Sequence, residues 1–142
     1  MVNLSNMPKQ SQEDYLRAIY SLFEKSGDEG VSSVDIATEM KISKAAVSKM
    51  LKKLDEAHLI KMTPYSSFKF LAKGKREAEK VIYKRRIVEV FLLEVLKVDR
   101  DKISAEAHAL EHSFSDDSIK RLAKLLGDPE VCPCGNKIPK IK

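Results

Sequence analysis

The stretch ISKAAVSKMLKKLDEAHLI, residues 42–60, decides the fold of this chain. Its apolar residues recur at the i, i+3, i+4, i+7 spacing that forms one face of an amphipathic helix. The four residues of this face are Val47, Met50, Leu51 and Leu54. The opposite face is rich in lysine, and the first turn is small and polar. A helix of this kind fits the major groove of DNA, although most lysine-rich faces are simply solvated.

The flanks of this helix predict a winged helix-turn-helix. Residues 32–40 have the pattern of a short helix, and only residues 41–43 separate it from the lysine-rich helix. Residues 60–63 and 67–71 then alternate apolar and polar side chains around 64–66, which predicts a small β-hairpin. A plain pair of helices without DNA function is the alternative for the two helices alone. The hairpin, in the position of a wing, favours DNA binding.

The distribution of charge supports a polyanionic partner for the middle of the chain only. The net charge is +5, but residues 41–86 carry 14 Lys and Arg against 4 Asp and Glu, a local balance of +10. Residues 1–40 come to −4 (3 basic, 7 acidic) and residues 87–142 to −1 (9 basic, 10 acidic). A basic block between two mildly acidic ends is typical of a nucleic-acid-binding segment.

Composition and length place the chain among ordinary globular proteins. Its 142 residues, 43% hydrophobic and 33% charged, suffice for one compact domain or two small ones. An apolar run of the roughly 18–20 residues that span a bilayer is missing, and the polar N-terminus does not resemble a signal peptide. The sequence therefore predicts a cytoplasmic protein with no membrane partner.

Beyond the hairpin, the sequence predicts a long helix from residue 73 to about residue 95. The later half of this helix is apolar over a wide arc, which predicts a dimer surface; internal packing against the last helices is the alternative. The predicted fold is mainly α. An N-terminal winged helix-turn-helix with a small β-hairpin wing (residues 1–72) is followed by a helical dimerisation and metal-binding domain (residues 73–142).

A helix predicted at about residues 105–114 carries a candidate metal site. His108, Glu111 and His112 stand at i, i+3 and i+4, so their side chains project from one helical face. Two imidazoles and a carboxylate suit Mn²⁺, Fe²⁺, Co²⁺ or Zn²⁺. The same H-x-x-E-H string matches the short signature of inverted zinc peptidases, but a chain this short that also builds a winged helix implies no substrate cleft. We therefore expect no enzyme and no catalytic residue.

The two cysteines, Cys132 and Cys134, are too close in sequence for an ordinary structural disulfide. The segment that contains them is rich in proline and glycine and predicts a turn. As an alternative, two thiols at this spacing could recruit a soft metal or sense oxidation.

The order of winged helix, long helix and ligand-bearing helix resembles the diphtheria toxin repressor (DtxR/MntR) family of metal-dependent transcription regulators. The resemblance extends from EDYLRAIY at residues 13–20, through Glu111 and His112, to CPCGNKIP at residues 132–139. From its length we expect the chain to lack the additional C-terminal domain of the longer iron-sensing members, and in this respect it is similar to the short manganese-sensing branch.

This resemblance implies further site residues. It places Asp14 of the first helix as a ligand with Glu111 and His112. His108 falls at a ligand position that is glutamate in the manganese-sensing branch and cysteine in the iron-sensing branch. Glu89 falls on a further metal-site position. Lys49 and Ser43 fall where family members contact bases. The DNA-contacting residues expected on the helix and the wing are Ser43, Lys44, Ala45, Ser48, Lys49, Lys52, Lys61 and Lys69.

Two arginines depart from the family pattern. Arg85 stands where both branches have a metal-binding histidine, and Arg17 replaces a glutamate ligand of the manganese branch. A guanidinium is not a ligand at neutral pH. We therefore expect a single metal ion, with Arg85 paired to Glu89 in place of a second ion.

The implied function is metal-dependent regulation of transcription. We expect a homodimer that binds a palindromic double-stranded operator and represses metal-uptake genes, with Mn²⁺ or Fe²⁺ as the effector and Zn²⁺ or Co²⁺ as further options. The alternative is a winged-helix regulator without metal dependence, in which the fixed charges of Arg85 and Arg17 hold the DNA-binding form.

Overall fold

Six helices and three short strands make up the part of the chain that the computed structural model describes, residues 9–26, 30–63 and 67–141. The chain divides into two units, Met1–Ala78 and Glu79–Lys142. In chain order the elements are α1 (Lys9–Ser26), β1 (Val31–Ser32), α2 (Ser33–Met40), α3 (Lys44–Glu56), β2 (Ile60–Thr63), β3 (Ser67–Phe70), α4 (Ala72–Glu94), α5 (Arg100–Glu111) and α6 (Asp116–Leu125).

The predicted helix-turn-helix is present as α2 and α3. The Ser32 hydroxyl accepts a hydrogen bond from the backbone N–H of Asp35, and the Asp35 carboxylate accepts one from the N–H of Ser32, a capping box that starts α2. Lys41 ends α2 in the left-handed conformation (φ 56°), which turns the chain. The Ser43 hydroxyl then caps α3 by accepting from the N–H of Ala46 at 3.1 Å.

The wing is a three-stranded antiparallel sheet in the order β1-β3-β2. Strands β2 and β3 form the predicted hairpin, with Lys61 opposite Lys69 and Met62 opposite Phe68. The central strand β3 also pairs with β1, through Val31 opposite Phe68. The sequence did not predict β1, because two residues are too short to show an alternating pattern. The predicted turn at residues 64–66 lies outside the described residues.

The core of the first unit contains the apolar face of α3, as predicted. Val47, Leu51 and Leu54 are at most 2% exposed, and Met50 is also buried. They form one cluster with residues of α1, α2, the sheet, the turn before β2 and the start of α4: Leu16, Ile19, Val31, Ile36, Ala37, Leu59, Ile60, Phe68 and Ala78. Burial of this stripe fixes the lysine-rich side of α3 toward solvent.

The second unit contains the later half of α4, α5, α6 and a C-terminal segment. The apolar residues of α4 in its core are Ile87, Val88, Val90 and Leu92, and they cluster with Ile103, Ala107, Ile119, Ala123, Cys132 and Ile138. The wide apolar arc of α4 is therefore covered to a large extent within the unit. Internal packing of this kind is the alternative that the sequence left open beside a dimer surface. Apolar side chains that stay exposed in this unit are Val95, Leu96, Leu125 and Val131.

The helix predicted at about residues 105–114 was placed too late in the sequence. In the structure α5 begins at Arg100, because Ile103 already belongs to its buried face and Asp101 lies in its first turn. It ends at Glu111, so His112 is the C-cap residue rather than a residue of the helix. The backbone of His112 keeps α-helical angles (φ −77°, ψ −12°), which preserves the direction of its side chain.

The expectation that Cys132 and Cys134 are not bonded to each other was wrong. The structure joins them in a disulfide, with their Cα atoms 5.4 Å apart. The segment folds back on itself through a bridge between Val131 and Lys137, and Gly135 adopts φ +89°. This turn brings the two residues into the ordinary range for a disulfide despite their separation of two.

Within the described ranges, no helix combines the length and the apolar character that crossing a bilayer demands.

Candidate metal centre and nucleic-acid interface

The three ligand candidates of α5 and its C-cap lie close together in the second unit. His108, Glu111 and His112 each offer a ligand atom, and these atoms lie within 4.8 Å of one another. The imidazole rings of His108 and His112 are 5.6 Å apart between centroids, at an angle of 67°. The i, i+3, i+4 spacing therefore produces the shared face that the sequence predicted.

Glu111 is the buried member of this group. Its side chain is 1% exposed, and its Oε1 lies 3.4 Å from Nε2 of His112. A further close neighbour is Arg85 of α4, whose Nη1 lies 3.4 Å from both carboxylate oxygens. A buried carboxylate is costly without hydrogen-bonding or ionic partners, and Arg85 and His112 supply such partners to Glu111.

Arg85 also contacts Glu89 and Ser104. Its Nε lies 3.7 Å from Oε1 of Glu89, so the ion pair expected from the sequence is present. Its Nη2 donates to the hydroxyl of Ser104 at 3.0 Å and to the carbonyl oxygen of Ser104 at 3.3 Å. Sequence reasoning did not single out Ser104, because a serine within a helix carries no distinctive signal.

The donor set fits a divalent transition metal. Two imidazole nitrogens and a carboxylate oxygen within 4.8 Å supply ligands of the kind that Mn²⁺, Fe²⁺, Co²⁺ and Zn²⁺ accept. The carboxylate of Glu111 is already desolvated, so binding an ion there removes little further water from the carboxylate itself.

The remaining residues of the expected metal site belong to two different units. Asp14 and Arg17 lie on α1 of the first unit, and both are partly buried. Glu89 lies on α4 of the second unit, in the ion-pair network of Arg85. Their roles as ligands, or as replacements for ligands, stay predictions.

The exposed face of α3 is basic and small, as predicted. The side chains of Lys44, Lys49 and Lys52 point to solvent together with Ala45 and Ser48. Ser43 is also exposed, and its hydroxyl oxygen accepts the capping hydrogen bond with one of its two lone pairs, so its O–H proton and its second lone pair can still contact DNA. The wing adds two further exposed lysines, Lys61 and Lys69.

Comparison with protein families gives matches over nearly the whole chain. A family described as "Iron dependent repressor, N-terminal DNA binding domain" matches residues 7–68. A second, described as "Iron dependent repressor, metal binding and dimerisation domain", matches residues 71–140.

Individual relatives are similar to this chain over most of its length. An uncharacterized HTH-type transcriptional regulator of Methanocaldococcus jannaschii is 37% identical over 113 residues, 80% of this chain and 90% of the relative. The HTH-type transcriptional regulator MntR of Oceanobacillus iheyensis is 33% identical over 120 residues, 84% of this chain and 80% of the relative.

Among solved structures, the manganese regulator SloR is similar with a TM-score of 0.78 and 41% identity. The match covers 91% of this chain but 59% of the SloR chain. This chain therefore spans about three fifths of the length of that solved relative.

Proposed function

Because this chain belongs to the iron-dependent repressor family, we propose that it is a homodimeric, metal-dependent repressor of transcription. The observation that carries the proposal is the convergence of His108, Glu111 and His112 in the unit that matches the family's metal-binding and dimerisation domain. The unit that matches the DNA-binding domain supplies an exposed lysine-rich helix and wing. Each half of the function thus has its own structural support.

The proposed ligands of the metal are Asp14, His108, Glu111 and His112. Asp14 is included because it offers a carboxylate on α1 and because the family resemblance assigns a ligand to this position. These residues would hold a divalent ion, whose positive charge would neutralise the two carboxylates and whose coordination would fix the two imidazoles. Through Asp14, the ion ties the winged helix to the dimerising unit.

Metal binding is then coupled to DNA binding. If the ion favours the arrangement in which the two recognition helices of a dimer match adjacent major grooves, metal and DNA each raise the affinity of the protein for the other. Couplings of this type are typically about 1–3 kcal/mol. A dimer of this kind binds a palindromic operator, which we place upstream of genes for metal uptake. In this proposal the protein acts in the cytoplasm.

We propose Mn²⁺ as the effector, with Fe²⁺ as the second choice. The names of the relatives MntR and SloR support manganese. Two nitrogen and two oxygen ligands do not by themselves exclude Zn²⁺ or Co²⁺, and by intrinsic affinity Zn²⁺ binds more tightly than Mn²⁺. In this proposal Glu111 is a metal ligand and not a general base.

A second candidate is a regulator that needs no metal. The observation that favours it is Arg85, because its guanidinium already supplies a positive charge beside Glu111. The two candidates differ in the response of DNA binding to chelation.

Fluorescence anisotropy separates them. A labelled DNA fragment from upstream of the protein's own gene is titrated with chelator-treated protein, first without metal and then with Mn²⁺, anaerobic Fe²⁺ or Zn²⁺. Scrambled DNA of the same length is the control. Tight binding that requires metal supports the proposal, and the ranking of the metals identifies the effector. Equal binding without metal favours the second candidate, and metal-independent binding to scrambled DNA alone contradicts both.

A further inference from the structure

The disulfide between Cys132 and Cys134 joins residues that are only two apart in sequence. A disulfide stabilises a protein mainly by restricting its unfolded chain, and this effect grows with the length of the loop that the bond closes. The bond between these two cysteines therefore restricts very little of the unfolded chain. Its contribution to stability does not account for it well, which directs attention to the chemistry of the bond itself.

The turn around the disulfide is held by backbone hydrogen bonds that do not involve sulfur. The N–H of Cys132 donates to the carbonyl oxygen of Asn136, and the N–H of Gly135 donates to the carbonyl oxygen of Cys132, both at 2.9 Å. The N–H of Ile138 donates to the carbonyl oxygen of Glu130 at 2.8 Å. We expect these hydrogen bonds to persist when the disulfide is open. The two thiols then stay close together, and closeness of this kind strongly favours re-formation of the bond.

The two cysteines differ in their access to solvent. Cys132 is 4% exposed and belongs to the apolar core of the second unit. Cys134 is exposed, and its Sγ lies 3.3 Å from the side-chain amide nitrogen of Asn136, which donates to it. Such a donor stabilises a thiolate, so it favours both the release of Cys134 as a thiolate and its later attack on a disulfide. An incoming thiol therefore reaches Cys134 and not Cys132.

We propose that Cys132 and Cys134 form a reversible thiol–disulfide site for low-molecular-weight thiols and their disulfides, with Cys134 as the reacting sulfur. The site lies in the second unit, outside the group of His108, Glu111 and His112. The inference goes beyond the proposed function and does not depend on it, because neither metal nor DNA takes part in the reaction.

Reduction proceeds by two exchanges. The thiolate of a small thiol attacks Sγ of Cys134, the bond to Cys132 breaks, and Cys132 leaves as a thiolate that takes up a proton. A second thiolate then attacks the small-molecule sulfur of the mixed disulfide, and Cys134 leaves as a thiolate that is protonated in turn. The protein gains two electrons and two protons, and two small thiols become one disulfide. Oxidation is the same sequence in reverse.

The first test uses full-length, chelator-treated protein with glutathione as the probe. Oxidised protein is incubated with excess reduced glutathione without oxygen, and free thiols are then alkylated and counted by mass spectrometry of the intact protein. We expect two alkylated thiols per chain, and none after transfer into oxidised glutathione, with the same far-ultraviolet circular dichroism in both states. A disulfide that resists glutathione in the folded protein, or thiols that do not re-form it, would overturn the proposal.

The position of the glutathione tests which sulfur reacts. Mixed disulfides are trapped in acid at early times, and tandem mass spectrometry locates the attached glutathione. We expect it on Cys134, because Cys132 is buried. Equal amounts on the two cysteines would overturn the assignment. This measurement is made on wild type, so it decides the question even if a cysteine variant does not fold.

Cys132→Ser and Cys134→Ser are matched variants that each keep one thiol in the same turn. We expect oxidised glutathione to react with folded Cys132→Ser about tenfold or more faster than with folded Cys134→Ser, because access of the reagent limits the exchange. In denaturant the two rates should become similar, which identifies burial as the cause. Equal rates in the folded variants, or an equally large difference in denaturant, would contradict the proposed role of burial.

Discussion

Lys61 of β2 and Lys69 of β3 are direct cross-strand partners, and both side chains are exposed. Like charges directly opposite one another in an antiparallel pair destabilise the sheet. A phosphate group close to both ammonium groups removes this repulsion. The pair therefore costs the free protein some stability and favours the binding of a polyanion.

We expect Lys61→Thr to change stability and DNA binding in opposite directions. Relief of the repulsion raises the free energy of unfolding by about 0.2–1 kcal/mol. Loss of one phosphate contact lowers DNA affinity and reduces the slope of log affinity against log salt by about 1. Chemical denaturation and anisotropy at several salt concentrations measure the two effects. The control is Lys120→Ala, which replaces an exposed lysine of α6 and is expected to leave the salt slope unchanged. An unchanged slope in Lys61→Thr would show that the wing does not contact DNA.

Lys49→Ala tests the recognition helix. If this exposed lysine contacts a base, its loss weakens operator binding by about 1–3 kcal/mol and relaxes sequence preference, with Mn²⁺ affinity unchanged. Binding to operator and scrambled DNA, together with a metal titration, measures these effects. Lys53→Ala is the matched control, because Lys53 lies in the last turn of α3 and is partly covered. Equal losses in the two variants would point to general electrostatics and not to base contact.

His112→Ala is expected to separate metal response from DNA binding. Loss of this imidazole removes one ligand, so stimulation of DNA binding by Mn²⁺ falls from about 5–150-fold to none. Weak, salt-sensitive binding remains because the lysines of α3 and the wing are intact. The control is His58→Asn, since His58 is exposed and has φ 60°, a conformation that asparagine tolerates. Full Mn²⁺ stimulation of His112→Ala would show that this residue is not a ligand.

Gly74→Ala is expected to destabilise the first unit. A Cβ at residue 74 would lie 1.9 Å from the carbonyl oxygen of Leu59, and this oxygen also accepts a hydrogen bond from the N–H of Leu71. The backbone must therefore shift, at a cost of about 1–3 kcal/mol or more. In an open helix the same change usually stabilises. Thermal unfolding measures the effect, with Lys75→Ala as control, because Lys75 is an exposed neighbour on α4 whose replacement should change stability very little. A gain in stability for Gly74→Ala would contradict the close approach of residue 74 to the carbonyl oxygen of Leu59.

Leu125→Glu is expected to weaken the proposed homodimer. Leu125 ends α6 and is 76% exposed, in the unit that matches the dimerisation domain. A carboxylate buried in an apolar contact between protomers is unfavourable, so the dimer dissociation constant rises by about tenfold or more. Sedimentation velocity across a range of concentrations measures it, with Lys120→Glu on the same helix as control. A dimer that is unchanged by Leu125→Glu has its interface elsewhere.

Sequence periodicity alone determined most of the secondary structure that matters for function. The buried stripe of α3, the turn at residues 41–43 and the hairpin of β2 and β3 follow from short-range patterns, because side-chain direction along a helix or strand repeats every few residues. The shared face of His108, Glu111 and His112 was predictable for the same reason. The boundaries of α5 and the two-residue strand β1 were not, because their signals are too short.

Tertiary packing decided which residues meet across long sequence separations. Arg85 was expected to pair with Glu89 one helical turn away, but its contacts with Ser104 and Glu111 arise only because α4 packs against α5. Likewise, only packing buries the apolar arc of α4, and only the fold of the C-terminal segment brings Cys132 to Cys134. The sequence by itself determined the two faces of each helix. The structure decided which faces touch, because that depends on the complementary shapes and charges of elements far apart in the chain.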